Sequence, residues 1–146
     1  MLGHPVHRLM QLGFQEGCED LGYECDMLLT DSTSPVDMIP LAEQALTQGY
    51  DGVVLYAVDD SFFPTIAKFN EAGIPVVTFD SDAPDSERVA YYGTDNIAAG
   101  RQQAEVMAEA IGGKGTVAIL TGSLVMANLN ERMEGVNEVF AEKYPD

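Results

Sequence analysis

Apolar residues recur along the chain in two alternating patterns, one with the spacing of an amphipathic helix and one of short continuous runs. Helical spacing predicts four helices, over residues 6–21, 36–48, 62–72 and 128–144. It also predicts a fifth helix, which begins at Asp95 or Asn96 and runs to about Ile111. The apolar runs predict strands over residues 24–30, 52–56, 75–79, 88–92 and 116–120. Alternating helices and strands joined by short loops predict an α/β fold with a doubly wound parallel sheet.

Local signals refine these predicted elements. Ser61 is expected to cap the helix over 62–72, because serine is a preferred N-cap residue. The strand over 52–56 is almost wholly apolar, which predicts that both of its faces are covered. Only five residues precede the first helix and the chain stops directly after the last one, so we expect a piece of a longer protein.

The charge balance narrows the function classes. The 146 residues include 7 Lys and Arg against 24 Asp and Glu, which gives a net charge of −17. The positive residues are scattered, so the sequence argues against nucleic acid and against an anionic membrane surface as partners. No apolar run reaches the length of a membrane span, which predicts no direct insertion into a membrane. The start has no signal-peptide pattern, which fits a cytoplasmic protein or an exported one whose signal has been removed.

Two cysteines, Cys18 and Cys25, flank a predicted helix-to-strand turn. Such a turn could bring them within bridging distance, and two reduced thiols buried as small hydrophobic groups are an equal alternative. The spacing does not match a zinc set.

Polar residues follow the predicted strands at the edge where ligands of open α/β sheets bind. They are His4, His7, Asp31, Ser32, Asp59, Asp60, Ser61, Asp80, Ser81, Asp82, Thr94, Asp95, Asn96, Gly122, Ser123, Asn128 and Arg132. This set is rich in neutral and acidic hydrogen-bonding groups. It suits a polyhydroxylated or cationic small molecule better than a phosphate.

Three members of this set stand out. Asp80 leaves the most apolar strand directly, and Arg132 lies on the first turn of a predicted helix with Asn128 four residues earlier on the same face. A fixed fork of donors beside an amide can clamp vicinal hydroxyls. The aspartates that are expected instead to cap helices or face solvent are Asp60, Asp82, Asp85 and Asp95.

Enzymatic and metal-binding patterns are missing from the sequence. It contains no phosphate-binding glycine loop and no nucleophile elbow. His4 and His7 are a weak metal pair without a third ligand, so we interpret His4 as a hydrogen-bonding residue and His7 as a helix-start residue. The sequence therefore predicts no cofactor, no metal and no catalysis.

Several segments of the chain, taken in order, resemble the type I periplasmic sugar-binding proteins, which are the solute receptors of bacterial ABC transporters. The resemblance is nearest to the ribose- and galactose-binding group. The matching segments are His4–Val6, Leu21–Glu24, Gly52–Leu55, Ala72–Asp80, Gly93–Asn96 with Ala99-Gly100, and Asn130–Val136. The resemblance implies a two-lobed receptor that closes on one sugar in the periplasm or another extracytoplasmic space. It also implies a membrane permease as partner.

By position, the resemblance implies sugar contacts from His4, Asp80, Asn128 and Arg132. Val6 stands at an aromatic stacking position, so His7 or Tyr56 would supply that contact. Tyr56 and Asp59 are further candidates for the pocket. Ser81 stands where ribose receptors carry a second arginine, so ribose is not the predicted ligand.

The resemblance also implies the domain organisation. Residues 1–93 would form a first lobe without its opening strand, and residues 94–146 would begin a second lobe. We expect the 146-residue chain alone to bind sugar weakly or not at all. Two alternatives are an effector-binding domain of a LacI-type transcription regulator, which has the same fold, and an α/β enzyme.

Overall fold

The computed structural model describes residues 5–145, which contain five α-helices, three β-strands and two short 3₁₀ turns. Compact packing divides the chain into two units, one ending at Tyr50 and one beginning at Asp51. The predicted lobe boundary between residues 93 and 94 falls inside the second unit and stays a prediction. No helix among the described residues is long and apolar enough to cross a membrane.

The first unit contains two helices. Helix α1 spans Pro5–Leu21, and helix α2 spans Pro35–Gln44 and continues into a 3₁₀ turn over Ala45–Thr47. Gly22 follows α1 with a φ of 72°, a conformation that glycine adopts without steric cost. A disulfide joins Cys18 of α1 to Cys25, with 6.2 Å between their Cα atoms. The structure thus takes the bridged alternative of the two that the sequence left open.

The second unit contains the sheet. Strands β1 (Val53–Leu55), β2 (Val76–Phe79) and β3 (Ala90–Tyr92) run parallel in the order β1-β2-β3. Between β1 and β2 lie a 3₁₀ turn over Asp60–Phe62 and helix α3 over Phe63–Glu71. Helices α4 (Asn96–Ile111) and α5 (Ala127–Lys143) follow the sheet. The predicted α/β class with a parallel sheet is confirmed.

The core of the second unit lies between α3 and one face of the sheet. Phe62, Ile66 and Phe69 are fully buried, as are Val76 and Thr78 of β2. The sequence predicts that both faces of the strand over 52–56 are covered. This expectation is wrong, because Val54 of β1 is 49% exposed. Successive side chains of a strand point to opposite faces, and in β1 only the face of Leu55 is buried.

Two of the predicted strands are not formed. Residues 24–30 and 116–120 form no strand, and Leu120 in the second segment is almost completely exposed. A strand of a parallel sheet exists only through hydrogen bonds to a neighbouring strand. An apolar run carries no information on whether such a neighbour is present, which is why periodicity alone leads to the wrong prediction for these two segments.

The helix caps differ in part from the prediction. The carboxylate of Asp59, not the Ser61 side chain, caps the turn that leads into α3, and it accepts a hydrogen bond from the Ser61 backbone N–H at 3.0 Å. The Ser61 hydroxyl also hydrogen-bonds to Asp59. Asp95 is the N-cap of α4, as predicted, and accepts from the Ala98 N–H at 2.9 Å.

Helices α4 and α5 pack at very short range because glycines stand at their crossing. A Cβ atom on Gly100 of α4 would overlap the carbonyl oxygen of Arg132, and one on Gly135 of α5 would overlap the carbonyl oxygen of Ile97. Around this crossing, Ala104, Val136 and Val139 form a small buried cluster against which Phe140 and Tyr144 pack. The glycines therefore fix the position of the Arg132 backbone relative to α4.

We expect Gly100→Ala and Gly135→Ala each to destabilise the chain by about 1–3 kcal/mol, since overpacked cores cost that much. Thermal unfolding followed by circular dichroism measures the effect. The matched control is Gly13→Ala in α1, where an added Cβ meets nothing within 4 Å. That substitution should stabilise the helix slightly, because alanine is the better helix former. Equal melting temperatures for all three variants would contradict the close crossing.

Candidate functional site

The candidate site lies at the carboxyl edge of the sheet, where residues following the three strands meet the first turns of α4 and α5. Tyr56 follows β1, Asp80 follows β2, and Asn96 begins α4 shortly after β3. The backbone N–H of Ala127, at the start of α5, donates to the carbonyl of Val58 at 3.0 Å. This bond ties the α5 N-terminus to the chain that leaves β1.

Asp80 has an unusual backbone that is held on both sides. Its φ of 63° is in the left-handed region, and among the described residues no other non-glycine has a positive φ. Its N–H donates to the carbonyl of Tyr92 at 3.2 Å, and its carbonyl accepts from the Tyr91 hydroxyl at 3.0 Å. Strained backbone of this kind persists where its surroundings fix it, and it is concentrated at functional sites.

Tyr56 lies beside Asp80 in a largely apolar setting. Its side chain is buried, and its ring lies 5.8 Å from the ring of Phe79. Its hydroxyl contacts the sulfur of Met126 at 4.0 Å. Burial, and then the negative charge of Asp80, raise the pKa of the Tyr56 hydroxyl to about 12. The hydroxyl therefore stays protonated at neutral pH and keeps its capacity to donate.

Arg132 is held through one edge of its guanidinium. Its Nη2 donates to the Oδ1 of Asn96 at 2.7 Å, and the Nδ2 of Asn96 donates to the carboxylate of Glu131 at 3.3 Å. Burial raises the pKa of Glu131, an effect that the hydrogen bond from Asn96 opposes and the nearby carboxylates reinforce. Asn96 is a neutral amide, so this hydrogen bond does not neutralise the positive charge of Arg132.

Three buried polar atoms in the described part of the second unit have no hydrogen-bond partner. They are the Nε of Arg132, the Oδ1 of Asn128 and the Oγ of Ser81. Asn128 is 9% exposed and Ser81 is fully buried. Buried polar atoms are nearly always paired, and each unpaired one costs about 1–3 kcal/mol. Two of these three atoms belong to the predicted pair Asn128 and Arg132, one helical turn apart on α5.

Asp82 supports the site through an ion pair that the sequence did not predict. Its carboxylate accepts from Arg88 through both Nε and Nη2, the latter at 2.6 Å, from the Thr78 hydroxyl at 2.8 Å and from the Ala83 N–H at 2.7 Å. Burial raises its pKa, but these hydrogen bonds outweigh burial and hold the pKa below its ordinary value. The expectation that Asp82 caps a helix or faces solvent is wrong.

Asp59 lies in a separate depression rather than with Asn96 and Arg132. The open depression has a volume of about 450 Å³. Its lining residues are Asp59, Asp60, Ser61, Val125, Ala127 and Asn130. The Asp59 carboxylate is already occupied as a helix cap.

The structure places neither predicted histidine at the candidate site. His7 is buried on α1 of the first unit, and His4 lies outside the described residues. Sugar contacts from either histidine therefore stay a prediction. Among residues 5–145, no group of three or more His, Cys, Asp or Glu side chains is arranged to hold a metal ion.

Sequence reasoning misses the hydrogen bonds that Asn96 and Tyr91 make at the candidate site. The sequence indicates Asn96 only as a helix-start or rim residue, whereas it is buried and hydrogen-bonded to two residues of α5. The Tyr91 hydroxyl contacts the carbonyls of Asp80 and Thr94, which links the end of β2 to the turn before α4. Local patterns do not predict these bonds, because Asn96 and its partners on α5 are about 35 residues apart, and Tyr91 and Asp80 are 11 apart.

Comparison with known proteins yields one family and several relatives. A family model described as a periplasmic binding protein domain matches residues 2–146. The xylitol-binding protein of Mycolicibacterium smegmatis is 32% identical over 105 residues, which cover 71% of this chain and 30% of that protein. The ribose import binding protein RbsB of Escherichia coli is 25% identical over 141 residues, which cover 96% of this chain and 47% of RbsB.

Solved structures share the fold over almost the whole chain. GanP, a glucose-galactose binding protein from Geobacillus stearothermophilus, superposes with a TM-score of 0.92 at 33% identity, over 97% of this chain and 51% of GanP. An ABC transporter solute-binding protein from Burkholderia graminis in complex with D-arabinose superposes with a TM-score of 0.92 at 32% identity. The match covers 98% of this chain and 50% of that protein. The chain thus spans about half the length of these structures, and less than half of the curated relatives.

We expect Asp82→Asn to destabilise the second unit by about 2 kcal/mol at neutral pH, because it weakens charge-assisted hydrogen bonds to a side chain that is 15% exposed. Since the folded-state pKa of Asp82 is lowered, its contribution is complete above the unfolded value of about 3.9 and is lost as pH falls through the folded value. Urea unfolding at several pH values measures this.

The difference in stability between wild type and Asp82→Asn should therefore shrink as the pH falls below 4. Glu138→Gln is the matched control, because the Arg101–Glu138 pair is exposed and exposed pairs contribute little. An Asp82→Asn variant as stable as the control would contradict the role of this carboxylate.

Proposed function

The chain belongs to the periplasmic binding protein domain family, as its resemblance indicated, and we propose that it forms part of a receptor for a neutral polyhydroxylated small molecule. The ligand class is a monosaccharide or a related polyol. The receptor binds it between two lobes, without chemistry, as the substrate-binding component of a bacterial ABC transporter. Residues up to 93 contribute to one lobe, and residues from 94 begin the other.

The observation that carries the ligand class is the unpaired donor and acceptor on α5. The Nε–H of Arg132 can only donate, and the Oδ1 of Asn128 can only accept. A hydroxyl group does both, so the hydroxyl groups of a polyol can satisfy either atom. A fully ionised phosphate or carboxylate could accept from Arg132 but has no proton to give to Asn128.

The surrounding charge also favours a neutral ligand. Asp80 follows β2, and Asp82 and Glu131 both act electrostatically on Tyr91, as Asp80 does. An anion placed near these carboxylates would be repelled by their negative charge. A sugar hydroxyl group is neutral, so it can donate hydrogen bonds to them without this repulsion. The same balance fits a chain with a net charge of −17.

The named relatives support the proposal from a separate direction. Their names and titles state xylitol, ribose, glucose-galactose and D-arabinose as what those proteins bind. They favour a transport receptor over the transcription-regulator and enzyme alternatives. Because Ser81 replaces the second arginine of ribose receptors, we propose a sugar or polyol other than ribose.

Titration of the ¹⁵N-labelled chain with xylitol and with D-arabinose, followed by NMR, tests the ligand class. We expect weak, millimolar binding that perturbs the side-chain signals of Asn128 and Arg132, since this chain supplies only part of a two-lobed site. Acetate, an anion with no proton to donate at neutral pH, should leave these signals unchanged. A stronger response to acetate than to polyols would refute the ligand class, and micromolar affinity would show that the weak-binding expectation is wrong.

Arg132→Lys should weaken the response to polyols, because lysine keeps the charge but lacks the planar fork of donors. Arg101→Lys is the matched control. Arg101 lies on the same helix pair and is exposed, in an ion pair with Glu138 at 2.7 Å. A control that loses the response as fully as Arg132→Lys would indicate a general charge effect rather than a site.

We further propose that the protein works outside the cytoplasm. The disulfide between Cys18 and Cys25 supports this, because disulfides persist in oxidising compartments. Mass spectrometry of the protein, recovered from its native cells under alkylating conditions, should find a disulfide bond between Cys18 and Cys25. Alkylation of both cysteines without prior reduction would contradict an oxidising location.

A further inference from the structure

We infer that Asn96 is a positioning residue for ligand binding, which acts through Arg132 and touches no ligand itself. The inference rests on the proposed function, since it assigns the ligand-facing role to Arg132. Asn96 is buried at the first position of α4, 36 residues before Arg132 in the sequence. Neither composition nor helical spacing singles it out.

The hydrogen bonds of Asn96 define its role. Its Oδ1 accepts from Arg132 Nη2 at 2.7 Å, which is a short charge-assisted bond. Its Nδ2 donates to Glu131 Oε2 at 3.3 Å, which fixes the orientation of the amide. Asn96 thus holds the guanidinium by one terminal nitrogen. The Nε of the same guanidinium stays buried without a partner.

The backbone of Arg132 is fixed by the same helix that carries Asn96. Gly100 lies one helical turn after Asn96, and its missing Cβ lets the Arg132 carbonyl approach α4 closely. Arg132 is therefore constrained at two points, at its carbonyl by Gly100 and at Nη2 by Asn96. Two constraints leave the long side chain little freedom, so the binding atom is preorganised rather than ordered by the ligand.

A neutral amide suits this role better than a carboxylate would. A carboxylate could take two donors of the guanidinium in a bidentate pair and neutralise its charge. The amide offers one oxygen to Arg132 and turns its NH₂ toward Glu131. It therefore sets the orientation of Arg132 while leaving its charge and its Nε–H for another partner.

The test combines a ligand-free measurement with binding. In NMR spectra of the ¹⁵N-labelled chain, the Arg132 Nε–Hε signal should be sharp and should broaden or vanish in Asn96→Ala. The matched control is Asn70→Ala, which also removes one amide hydrogen bond of the second unit, from Asn70 Nδ2 to the carbonyl of Glu87 at 2.9 Å. The control should leave the Arg132 signal unchanged.

Binding of D-arabinose should weaken roughly tenfold in Asn96→Ala, which corresponds to about 1.4 kcal/mol. Because Asn96 acts through Arg132, the double variant Asn96→Ala with Arg132→Ala should bind no worse than Arg132→Ala alone. Independent losses that add up in the double variant would indicate a general structural role and overturn the inference.

A rescue separates positioning from mere disruption. Asn96→Asp combined with Glu131→Gln reverses the second hydrogen bond, because glutamine donates to the new carboxylate, while Arg132 keeps its acceptor. The pair should restore a sharp Arg132 signal, because Arg132 again has an acceptor at this position. A rescue variant with the same broad signal as Asn96→Ala would contradict the inference.

The two proposals fail in distinguishable ways. Stronger binding of acetate than of polyols by the wild-type chain refutes the proposed function, and the Arg132 signal in Asn96→Ala then decides the positioning role by itself. An Arg132 signal that is unchanged in Asn96→Ala refutes the positioning role even where the chain binds D-arabinose.

Discussion

The close crossing of α4 and α5 is the constraint on which the candidate site depends. Gly100 and Gly135 allow the two helices to approach until each contacts the backbone of the other. At that distance a side chain at the start of α4 can reach one on the first turns of α5, as Asn96 reaches Arg132. Side chains at the two glycines would force the helices apart, and the hydrogen bond between Asn96 and Arg132 would then be stretched beyond its working distance.

The electrostatic design of the chain gives Arg132 its distinct role. Other cations are committed to carboxylates: Arg88 to Asp82, Arg101 to Glu138 and Lys143 to Glu105. Arg132 instead hydrogen-bonds to an amide in surroundings that hold several carboxylates. A positive group placed in this way can bind a hydroxyl oxygen without attracting a stable counter-charge from the protein itself. Under the proposed function, this arrangement would discriminate between neutral and anionic ligands by what surrounds the donor rather than by the donor alone.

The sequence is a good guide where the signal is local and a poor one where it is not. Apolar spacing and capping residues act over a single turn, so they predict the long helices α1, α4 and α5 within one residue or so. The runs over 24–30 and 116–120 are not strands, because strand formation depends on a neighbour. Within the site, Asn128 and Arg132 share a helix face and can be paired from their spacing. Asn96 and Asp82 cannot be assigned in this way, since their partners come from other elements.

The unpaired atoms explain why a folded protein would keep such an arrangement. The Nε of Arg132 and the Oδ1 of Asn128 each forfeit a hydrogen bond that water would provide in the unfolded chain. Rotation of the Arg132 side chain toward a nearby carboxylate would recover part of that loss, and the Asn96 bond opposes this rotation. The chain therefore accepts a less stable unliganded state in which donor and acceptor are already oriented. Under the proposed function, a ligand hydroxyl group that reaches either atom would regain a missing hydrogen bond, and that free energy would contribute to binding.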